Sequence, residues 1–412
     1  MKKVTAIVIG AGNRGNTYAS YSQIYPNELQ IVAVVEPDAF RRKLFSEQYN
    51  IALENQFEDY EAMFEREKMA DCVFVCTQDK MHCEPTIQAL KKGYHVLCEK
   101  PMSPDADKIR HMGEVAKQEG RVLSICHVLR YSPFFVKVKS MIDEGKLGQI
   151  MTIQHIEEVG FWHQAHSFVR GNWRNVEETS PMILAKCCHD MDLITWMVNS
   201  PCKKISSFGE RSFFKAENKP EGAPLHCMDG CPHRDQCAFY APRFYLEHPR
   251  AEGGFRDAVT RKEGTEALLE ALRTGPYGRC VFQCDNTAVD HQVVSMEFEN
   301  GVNATMTMCG FTSDCTRKIN IMGTAGQLEG NLEENQLTFY DFLTGNKEII
   351  HIHVSESGHS GSDFSMMHDF VKLIEADGKE ENRTNADVSV QSHLLTLAAE
   401  ESRVSGKTIQ LN

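Results

Sequence analysis

The stretch VLCEKPMSPD, residues 96–105, places a candidate acid–base pair at the end of a short apolar run. Glu99 and Lys100 follow directly after that run, and Pro101 stiffens the chain behind them. An ion pair exposed at a strand end is common and contributes little to stability. A lysine that is held in a cleft can instead transfer a proton during a reaction. We therefore predict that Lys100 is catalytic and that Glu99 positions it.

A glycine-rich turn near the N-terminus has the spacing of a dinucleotide-binding loop. The sequence GAGNRG, residues 10–15, follows an apolar run and opens a helical pattern. The first glycine permits a tight turn, the second lets the backbone approach a pyrophosphate, and the third lets the helix pack closely on the strand. Backbone N–H groups at the start of the helix then face the anion. We expect the loop to bind a dinucleotide through Gly10, Gly12, Asn13, Arg14 and Gly15.

The next apolar run ends in Glu36, 21 residues after Gly15. A carboxylate at that position accepts hydrogen bonds from the adenosine ribose hydroxyls. It would also repel a 2′-phosphate, so the sequence favours NAD over NADP as the cofactor. Arg41 lies close enough to weaken that preference, although it is equally explained as a charge on a helix surface.

The elements that must position these residues alternate between strand and helix patterns over the first ~125 residues. Strands this uniformly apolar are buried on both faces of a parallel sheet. We therefore predict a doubly wound Rossmann domain over residues 1–127. The candidate strands are Val4–Ile9, Ile31–Val35, Cys72–Cys76, Val96–Cys98 and Val122–Cys126, with helices that include Pro85–Lys92 and Ala106–Gln118.

The pattern changes after residue 127, and strands at hairpin spacing dominate from about residue 203. They predict an open, mostly antiparallel sheet in a C-terminal α+β domain, residues 128–412, so the chain as a whole is an α/β protein. Single helices are expected over SPFFVKVKSMIDEG and SPMILAKCCHDMDLITWMV, and two more around residues 363–376 and 387–405. The candidate strands of this sheet include Lys204–Glu210, His291–Glu299, Asn303–Cys309, Lys318–Gly323, Gly326–Gly330, Gln336–Asp341 and Glu348–Val354.

The segment GFWHQAHSFVRGNWRN, residues 160–175, concentrates aromatic and planar polar side chains in what we predict to be a substrate loop. Such groups suit carbohydrate-like ligands. Its arginines could bind a carboxylate or phosphate in bidentate fashion, which leaves an acidic sugar as an alternative. The His-x-x-His spacing also permits a metal, but two histidines without further ligands are a weak signal. The candidate substrate contacts here are His163, His166, Arg170, Trp173 and Arg174.

The chain contains fifteen cysteines, several of them close together in an apparent insertion at about residues 212–285. In a chain without a secretion signal, we expect thiols or metal ligands rather than disulfides. Cys227, Cys231 and Cys237, with Cys280 or Cys284, could form a tetrahedral zinc site. An iron–sulfur cluster and a set of reduced core thiols are the alternatives.

Charge and hydropathy exclude several classes of partner. The net charge of −13 argues against nucleic acid. The apolar run Val4–Ile9 is too short for a signal peptide and leads into glycines. No later segment approaches the length of a membrane span. We therefore expect a cytoplasmic protein that acts on small molecules.

In combination these motifs resemble the glucose–fructose oxidoreductase/inositol dehydrogenase (Gfo/Idh/MocA) family over essentially the whole chain. The resemblance rests on GAGNRG, Glu36, EKP at residues 99–101, TQDKMH at 77–82, LRYSPFF, CCHDMDLITWMV, SGHSGSD and AAEESRVSGKTIQL. It implies a Rossmann domain followed by an open sheet that commonly forms dimers or tetramers. It adds Thr77, His82, Glu99, Lys100 and Arg130 to the expected cofactor contacts and Asp192 to the expected substrate contacts.

The resemblance also implies that Lys100 binds the reacting hydroxyl while His189 acts as its partner and general base. Many members place an aspartate four residues before this histidine, but the position is Ala185 here, with Lys186 beside it. A second cation would favour the neutral, basic form of Lys100. Lys186 could instead bind substrate or lie on the helix surface.

Three functions are therefore considered. The first is an NAD-dependent dehydrogenase of a sugar, cyclitol or sugar derivative. The second is a redox-neutral glycosidase or lyase that retains NAD and acts through a transient 3-keto sugar and elimination. A non-enzymatic NAD sensor is less favoured because it would not need Lys100 and His189.

Overall fold

The computed structural model describes residues 3–353 and 361–411, which form two β-sheets with helices packed against them. The first sheet contains six parallel strands in the order β3-β2-β1-β4-β5-β6, which is the Rossmann order. Its strands are β1 (Val4–Ile9), β2 (Leu29–Val35), β3 (Gln56–Phe57), β4 (Cys72–Val75), β5 (His95–Cys98) and β6 (Leu123–Ile125). The predicted parallel sheet is confirmed.

The second sheet has nine strands in the order β14-β13-β12-β11-β7-β10-β9-β8-β15. Its strands β7 and β10 are parallel, and the other neighbours are antiparallel. The strands are β7 (Ile150–Glu158), β8 (Cys202–Glu210), β9 (His291–Phe298), β10 (Asn303–Cys309), β11 (Thr316–Gly323), β12 (Gly326–Asn331), β13 (Gln336–Asp341), β14 (Lys347–His351) and β15 (Ile409–Gln410). The mostly antiparallel sheet is thus confirmed, while Val354 of the last predicted strand lies outside the described residues.

Helices cover both faces of the first sheet and connect the two halves. They are α1 (Asn13–Ala19), α2 (Tyr21–Ile24), α3 (Ala39–Tyr49), α4 (Tyr60–Glu65), α5 (Cys83–Lys91), α6 (Ala106–Glu119), α7 (Pro133–Asp143), α8 (Phe161–His163), α9 (Met182–Ala185), α10 (Cys188–Val198), α11 (Ala241–Glu247), α12 (Gly254–Val259), α13 (Thr265–Thr274), α14 (Ser362–Glu375) and α15 (Ala386–Ser405). The long helix α15 packs on α6 of the first half and on β8 of the second. The helix α15, which follows β14 in the chain, therefore packs against both the Rossmann half and the second sheet.

Two predictions about the elements near the site are wrong. The helix expected over residues 180–198 is broken between α9 and α10, because Cys187 leaves the helical conformation. The segment expected as a substrate loop is helical, with α8 followed by a π-helix over Gln164–Arg170. Every residue of that π-helix is buried, so packing rather than solvent exposure determines its conformation.

The insertion contains three α-helices and forms an apolar cluster of its own. Helices α11, α12 and α13 contribute Phe244, Tyr245, Leu268 and Leu272 to this cluster. Trp162 of α8 packs in the same cluster. The insertion is therefore attached to the segment that was predicted to contact substrate.

Candidate active site

The glycine-rich loop has the close backbone contacts that its sequence predicts. Gly10 has a positive φ of 96°, and a Cβ there would lie 2.5 Å from the carbonyl oxygen of Cys76. A Cβ on Gly15 would lie 2.1 Å from the carbonyl oxygen of Gly10. A Cβ on Gly12 would instead meet no atom within 4 Å. The loop is thus packed against the sheet at its first and last glycines and open at the middle one, where a pyrophosphate could approach.

Glu36 lies beside this loop and is 5% exposed. One carboxylate oxygen accepts a hydrogen bond of 2.9 Å from the N–H of Ala11, and the other accepts one of 3.1 Å from the N–H of Asp38. These bonds fix the carboxylate at the end of β2, where ribose hydroxyls would lie in a bound dinucleotide. Arg41 is exposed on α3.

The loop after β4 is held to the Lys100 segment by His82. The two ring nitrogens of His82 lie 2.7 Å from the carbonyl oxygen of Pro101 and 3.0 Å from that of Thr77. The Oγ1 atom of Thr77 is buried without a hydrogen-bond partner among the described residues. Because buried hydroxyls are normally hydrogen-bonded, this atom fits a contact with a bound ligand. His82 itself braces the loop.

Glu99 is held by two residues of α1. It accepts hydrogen bonds from the Tyr18 hydroxyl at 2.5 Å and from Nε of Arg14 at 2.8 Å. Although burial raises the pKa of Glu99, the charges of Arg14 and Lys100 and the Tyr18 bond lower it, and the net pKa is below its usual value. Arg14 also forms an ion pair of 2.6 Å with Asp363 of α14. The guanidinium of Arg14 is therefore engaged by carboxylates. Asp363 ends the SGHSGSD motif, whose residues 357–360 lie outside the described residues, and no role was predicted for Asp363 or Tyr18 individually.

Lys100 extends across the cleft toward the break between α9 and α10. Its Nζ atom donates a hydrogen bond of 3.0 Å to the carbonyl oxygen of Ala185. His189 lies one helical turn further along, is 8% exposed, and has its ring 5.8 Å from that of His127. The charge of Lys100 contributes to the low pKa of His127, about 4, after the larger effect of burial. The structure thus brings the segment of Lys100 and the helix of His189 to one place.

Arg130 and Asp192 bind each other instead of facing an open cleft. The guanidinium donates two hydrogen bonds, of 2.7 and 2.8 Å, to the two carboxylate oxygens, and both residues are buried. Burial raises the pKa of Asp192, but His127 and Arg130 lower it further, so the net pKa is below its usual value. The pair holds α10 against the segment after β6. The expected cofactor contact of Arg130 and substrate contact of Asp192 stay predictions.

Lys186 is part of a buried charge network. Its Nζ atom lies 3.2 Å from a carboxylate oxygen of Glu157 on β7. Arg317 lies 2.8 Å from the other oxygen of Glu157 and 3.1 Å from Asp190. Asp190 also accepts a hydrogen bond of 2.7 Å from Nε2 of His155 when that nitrogen carries the proton. Lys186 lies at the break between α9 and α10, so the ion pair ties this break to β7.

Of the five residues predicted from the segment 160–175, His163 lies nearest the candidate reacting groups. Burial lowers its pKa well below the usual value, and the charges of Lys186 and Lys100 add to the effect. Its Nδ1 atom lies 3.6 Å from the thiol sulfur of Cys315, which in turn lies 3.9 Å from Nζ of Lys186. Cys315, on the loop before β11, was not singled out by any sequence motif.

The other four residues make internal contacts. His166 hydrogen-bonds to the Tyr245 hydroxyl at 2.6 Å, and Arg170 donates to the carbonyl oxygens of Arg279 and Phe239. The Trp173 indole donates to Asp79 at 3.1 Å, and Arg174 pairs with Asp285 at 2.9 Å. His166 and Arg170 therefore fasten the insertion, Trp173 fastens the loop after β4, and Arg174 forms a partly exposed ion pair. The expected substrate contacts at these four positions stay predictions.

The four predicted zinc ligands line a single cavity in the insertion. They are Cys227, Cys231, Cys237 and Cys280. Over residues 3–353 and 361–411, however, no three His, Cys, Asp or Glu side chains are grouped so that they could hold a metal ion. All fifteen cysteines are free thiols. The predicted zinc is thus not supported.

None of the helices in the described ranges is long and apolar enough to cross a membrane.

Comparisons with known proteins agree with this architecture. Residues 4–127 match the family model described as oxidoreductase family, NAD-binding Rossmann fold. Residues 139–411 match the model described as oxidoreductase family, C-terminal alpha/beta domain. The scyllo-inositol dehydrogenase of Lactobacillus casei, solved with NAD(H) and scyllo-inositol, is 17% identical with a TM-score of 0.69, covering 99% of both chains. At that identity it shows the fold alone.

Three curated relatives are similar over parts of the chain. The putative oxidoreductase YteT of Bacillus subtilis is 25% identical over 73% of this chain and 71% of its own. Two Escherichia coli proteins, 2,7-anhydro-N-acetylneuraminate hydratase and D-glucoside 3-dehydrogenase, are 26% and 32% identical. They cover 49% and 35% of this chain, and 51% and 40% of their own lengths. Since both family models match and together span most of the sequence, the chain belongs to the Gfo/Idh/MocA oxidoreductase family.

Proposed function

We propose that the protein is an NAD-dependent oxidoreductase acting on a secondary alcohol of a sugar, cyclitol or sugar derivative. The observation that carries the proposal is the position of Lys100, which reaches from the end of β5 to the carbonyl oxygen of Ala185, one helical turn before His189. Lysine and histidine at one place suit proton transfer from a hydroxyl group. When bound, the nicotinamide would supply the hydride acceptor for the same carbon.

In this proposal, Lys100 binds the reacting hydroxyl and His189 takes its proton. His82 and Glu99 hold the Lys100 segment in place through Pro101 and through the backbone N–H of Lys100. His163 has a strongly lowered pKa and is therefore neutral near pH 7, which suits hydrogen bonding to a sugar hydroxyl. The three residues most relevant to substrate are thus Lys100, His189 and His163.

NAD is favoured over NADP because of Glu36. Its buried carboxylate lies at the end of β2 beside the glycine-rich loop, where it would repel a 2′-phosphate. We also infer that residues 1–127 form the cofactor domain, and residues 128–412 the substrate and oligomerisation domain of a cytoplasmic homodimer or homotetramer.

A redox-neutral reaction is the second candidate, in which elimination and water addition follow transient oxidation of the sugar. Two observations favour it. Ala185 stands where a simple dehydrogenase of this family has an aspartate, and the insertion lies across the glycine-rich loop, which would favour retention of the cofactor. Similarity to a protein named as a hydratase is in line with a reaction of this class.

One experiment separates the two candidates. The purified protein is mixed with NAD and either a panel of free sugars and cyclitols or a panel of 4-nitrophenyl glycosides. Net formation of reduced nicotinamide absorbance supports the dehydrogenase. Release of 4-nitrophenol without net reduction supports the redox-neutral enzyme. Binding of NAD without turnover in either panel would count against both candidates.

A further inference from the structure

Residues 254–261 of the insertion lie against the glycine-rich loop of the Rossmann domain. A Cβ on Gly254 would lie 2.8 Å from Nδ2 of Asn13. The Nη2 atom of Arg261 lies 3.5 Å from the carbonyl oxygen of Ala11. The insertion therefore touches the loop at two of its residues, although it is far from that loop in sequence.

The same segment also reaches the other end of the cleft. The ring of Phe255 lies 5.3 Å from the ring of His163 and 4.7 Å from that of His166, in both cases edge-on. His163 is close enough to Lys100 for the lysine charge to contribute to its low pKa. The segment thus extends from the glycine-rich loop to the neighbourhood of the candidate reacting groups.

The two arginines near the glycine-rich loop differ in their partners. Arg14, which the sequence favoured for cofactor contact, is bound by Glu99 and Asp363. Arg261 is half-buried, and its guanidinium has no carboxylate partner within ion-pair distance in the described ranges. One long hydrogen bond to a carbonyl oxygen leaves most of its five N–H donors available.

We propose that Arg261 binds the diphosphate of the dinucleotide and that residues 254–261 cover the bound cofactor. The inference rests on the proposed NAD site. A guanidinium forms charge-assisted, often bidentate hydrogen bonds to phosphate oxygens, and the open side of Gly12 lies in the same loop as the Ala11 contact. Release of the dinucleotide would then require this segment to move, so Arg261 would slow release as well as strengthen binding.

The test compares Arg261→Ala, Arg261→Lys and Lys262→Ala. Lys262 is the matched control because it is the adjacent cation and is exposed. NADH binding is followed by fluorescence, and the release rate by displacement with excess NAD. We expect Arg261→Ala to weaken binding and speed release by about tenfold, the size expected for loss of a charge-assisted bond. Arg261→Lys should be intermediate, and Lys262→Ala unchanged.

A second measurement separates a phosphate contact from a general effect on the loop. ADP-ribose and adenosine serve as probes with and without the diphosphate. Arg261→Ala should weaken ADP-ribose binding about tenfold and leave adenosine binding unchanged. Equal loss for both probes, or an Arg261→Ala variant that matches Lys262→Ala, would overturn the inference.

Failure of this inference can be distinguished from failure of the proposed function. If the wild-type protein binds no NADH, the proposed cofactor site itself is wrong. If the wild-type protein binds NADH and Arg261→Ala binds it equally well, only the role of Arg261 fails. Should Arg261→Ala fail to fold, Arg261→Gln replaces it. The wild-type affinity for ADP-ribose should then fall more steeply with added salt than that of Arg261→Gln.

Discussion

Lys100 donates a hydrogen bond of 3.0 Å to the backbone carbonyl oxygen of Ala185, four residues before His189. A neutral carbonyl positions the ammonium without neutralising it. The nearest acidic partner of the neighbouring Lys186 is Glu157, at 3.2 Å, so the two lysines have different electrostatic surroundings. Lys100 is therefore positioned by backbone and loop contacts, and Lys186 by a buried ion pair.

Replacement of Lys100 by alanine should remove turnover and preserve cofactor binding. The loss should be at least about a hundredfold in kcat, the lower range for a group that transfers a proton in the transition state. NADH affinity should change little, because the glycine-rich loop and Glu36 do not contact the lysine side chain. Steady-state kinetics and fluorescence titration measure the two effects.

The matched control is Lys91→Ala, at an exposed cation on α5. It should retain full activity. Wild-type turnover by Lys100→Ala would refute the central assignment.

Introduction of a carboxylate at Ala185 should move the pH dependence of activity upward. In Ala185→Asp, an anion four residues before His189 would stabilise the protonated ring of that histidine, so a higher pH would be needed for the neutral base. The acidic limb of the kcat/KM profile should shift by up to about one to three pH units. Ala185→Asn is the control, since it adds similar volume without charge and should leave the limb in place. A common profile for both variants would show that the protonation of His189 does not limit the reaction.

The sequence predicts the glycine-rich loop and the strands better than it predicts the partners of the charged side chains. The GAGNRG loop and the apolar strands were predictable because backbone sterics and burial act locally, over a few residues. The partners of Arg14, Arg130 and Arg170 were not, because each is a carboxylate or a carbonyl group from a distant part of the chain. An arginine in a polar motif looks the same in sequence whether it binds a ligand or a buried aspartate.

The insertion also makes contacts that could not be predicted from its sequence. Its cysteine spacing suggested metal chemistry, whereas its helices and its contacts with Trp162 arise from apolar side chains that carry no sequence motif. The proximity of Arg261 to the glycine-rich loop joins residues 250 positions apart. Periodicity within one segment cannot reveal such a contact.

Removal of either partner of the Arg130–Asp192 pair should strongly destabilise the fold. Both side chains are buried, so Asp192→Asn or Arg130→Met would leave an uncompensated charge, at a cost of about 3–5 kcal/mol in the free energy of unfolding. The double variant should lose less than the sum of the single losses, since it removes both charges. Urea denaturation measures these values.

The exposed pair between Arg273 and Glu266 provides the comparison. Glu266→Gln should change the free energy of unfolding by less than about 1 kcal/mol. Additive losses at Arg130 and Asp192 would mean that the two side chains do not act as a pair.

Acidification should destabilise the protein partly through His393. This buried ring accepts a hydrogen bond of 3.0 Å from the N–H of Met102 through Nε2, while Nδ1 lies 2.7 Å from the carbonyl oxygen of Ser389. Protonation of Nε2 would remove the acceptor that holds the residue following Pro101. Burial, and to a smaller extent His127, lower its pKa to about 3.

The sign of the effect follows from the two states of His393. An unfolded histidine takes up a proton below about pH 6.5, whereas the folded one stays neutral until about pH 3, so acid favours the unfolded chain between these values. The contribution of His393 to the free energy of unfolding is fully present above pH 6.5. Below pH 6.5 it falls by about 1.4 kcal/mol per pH unit. Urea denaturation at pH 7.5, 6.0 and 5.5 should therefore give a smaller pH slope for His393→Gln than for the wild-type protein. His111→Gln, at an exposed position on α6, is the control and should leave the slope unchanged. If His393→Gln has the same slope as the wild-type protein, His393 titrates alike in the folded and unfolded states.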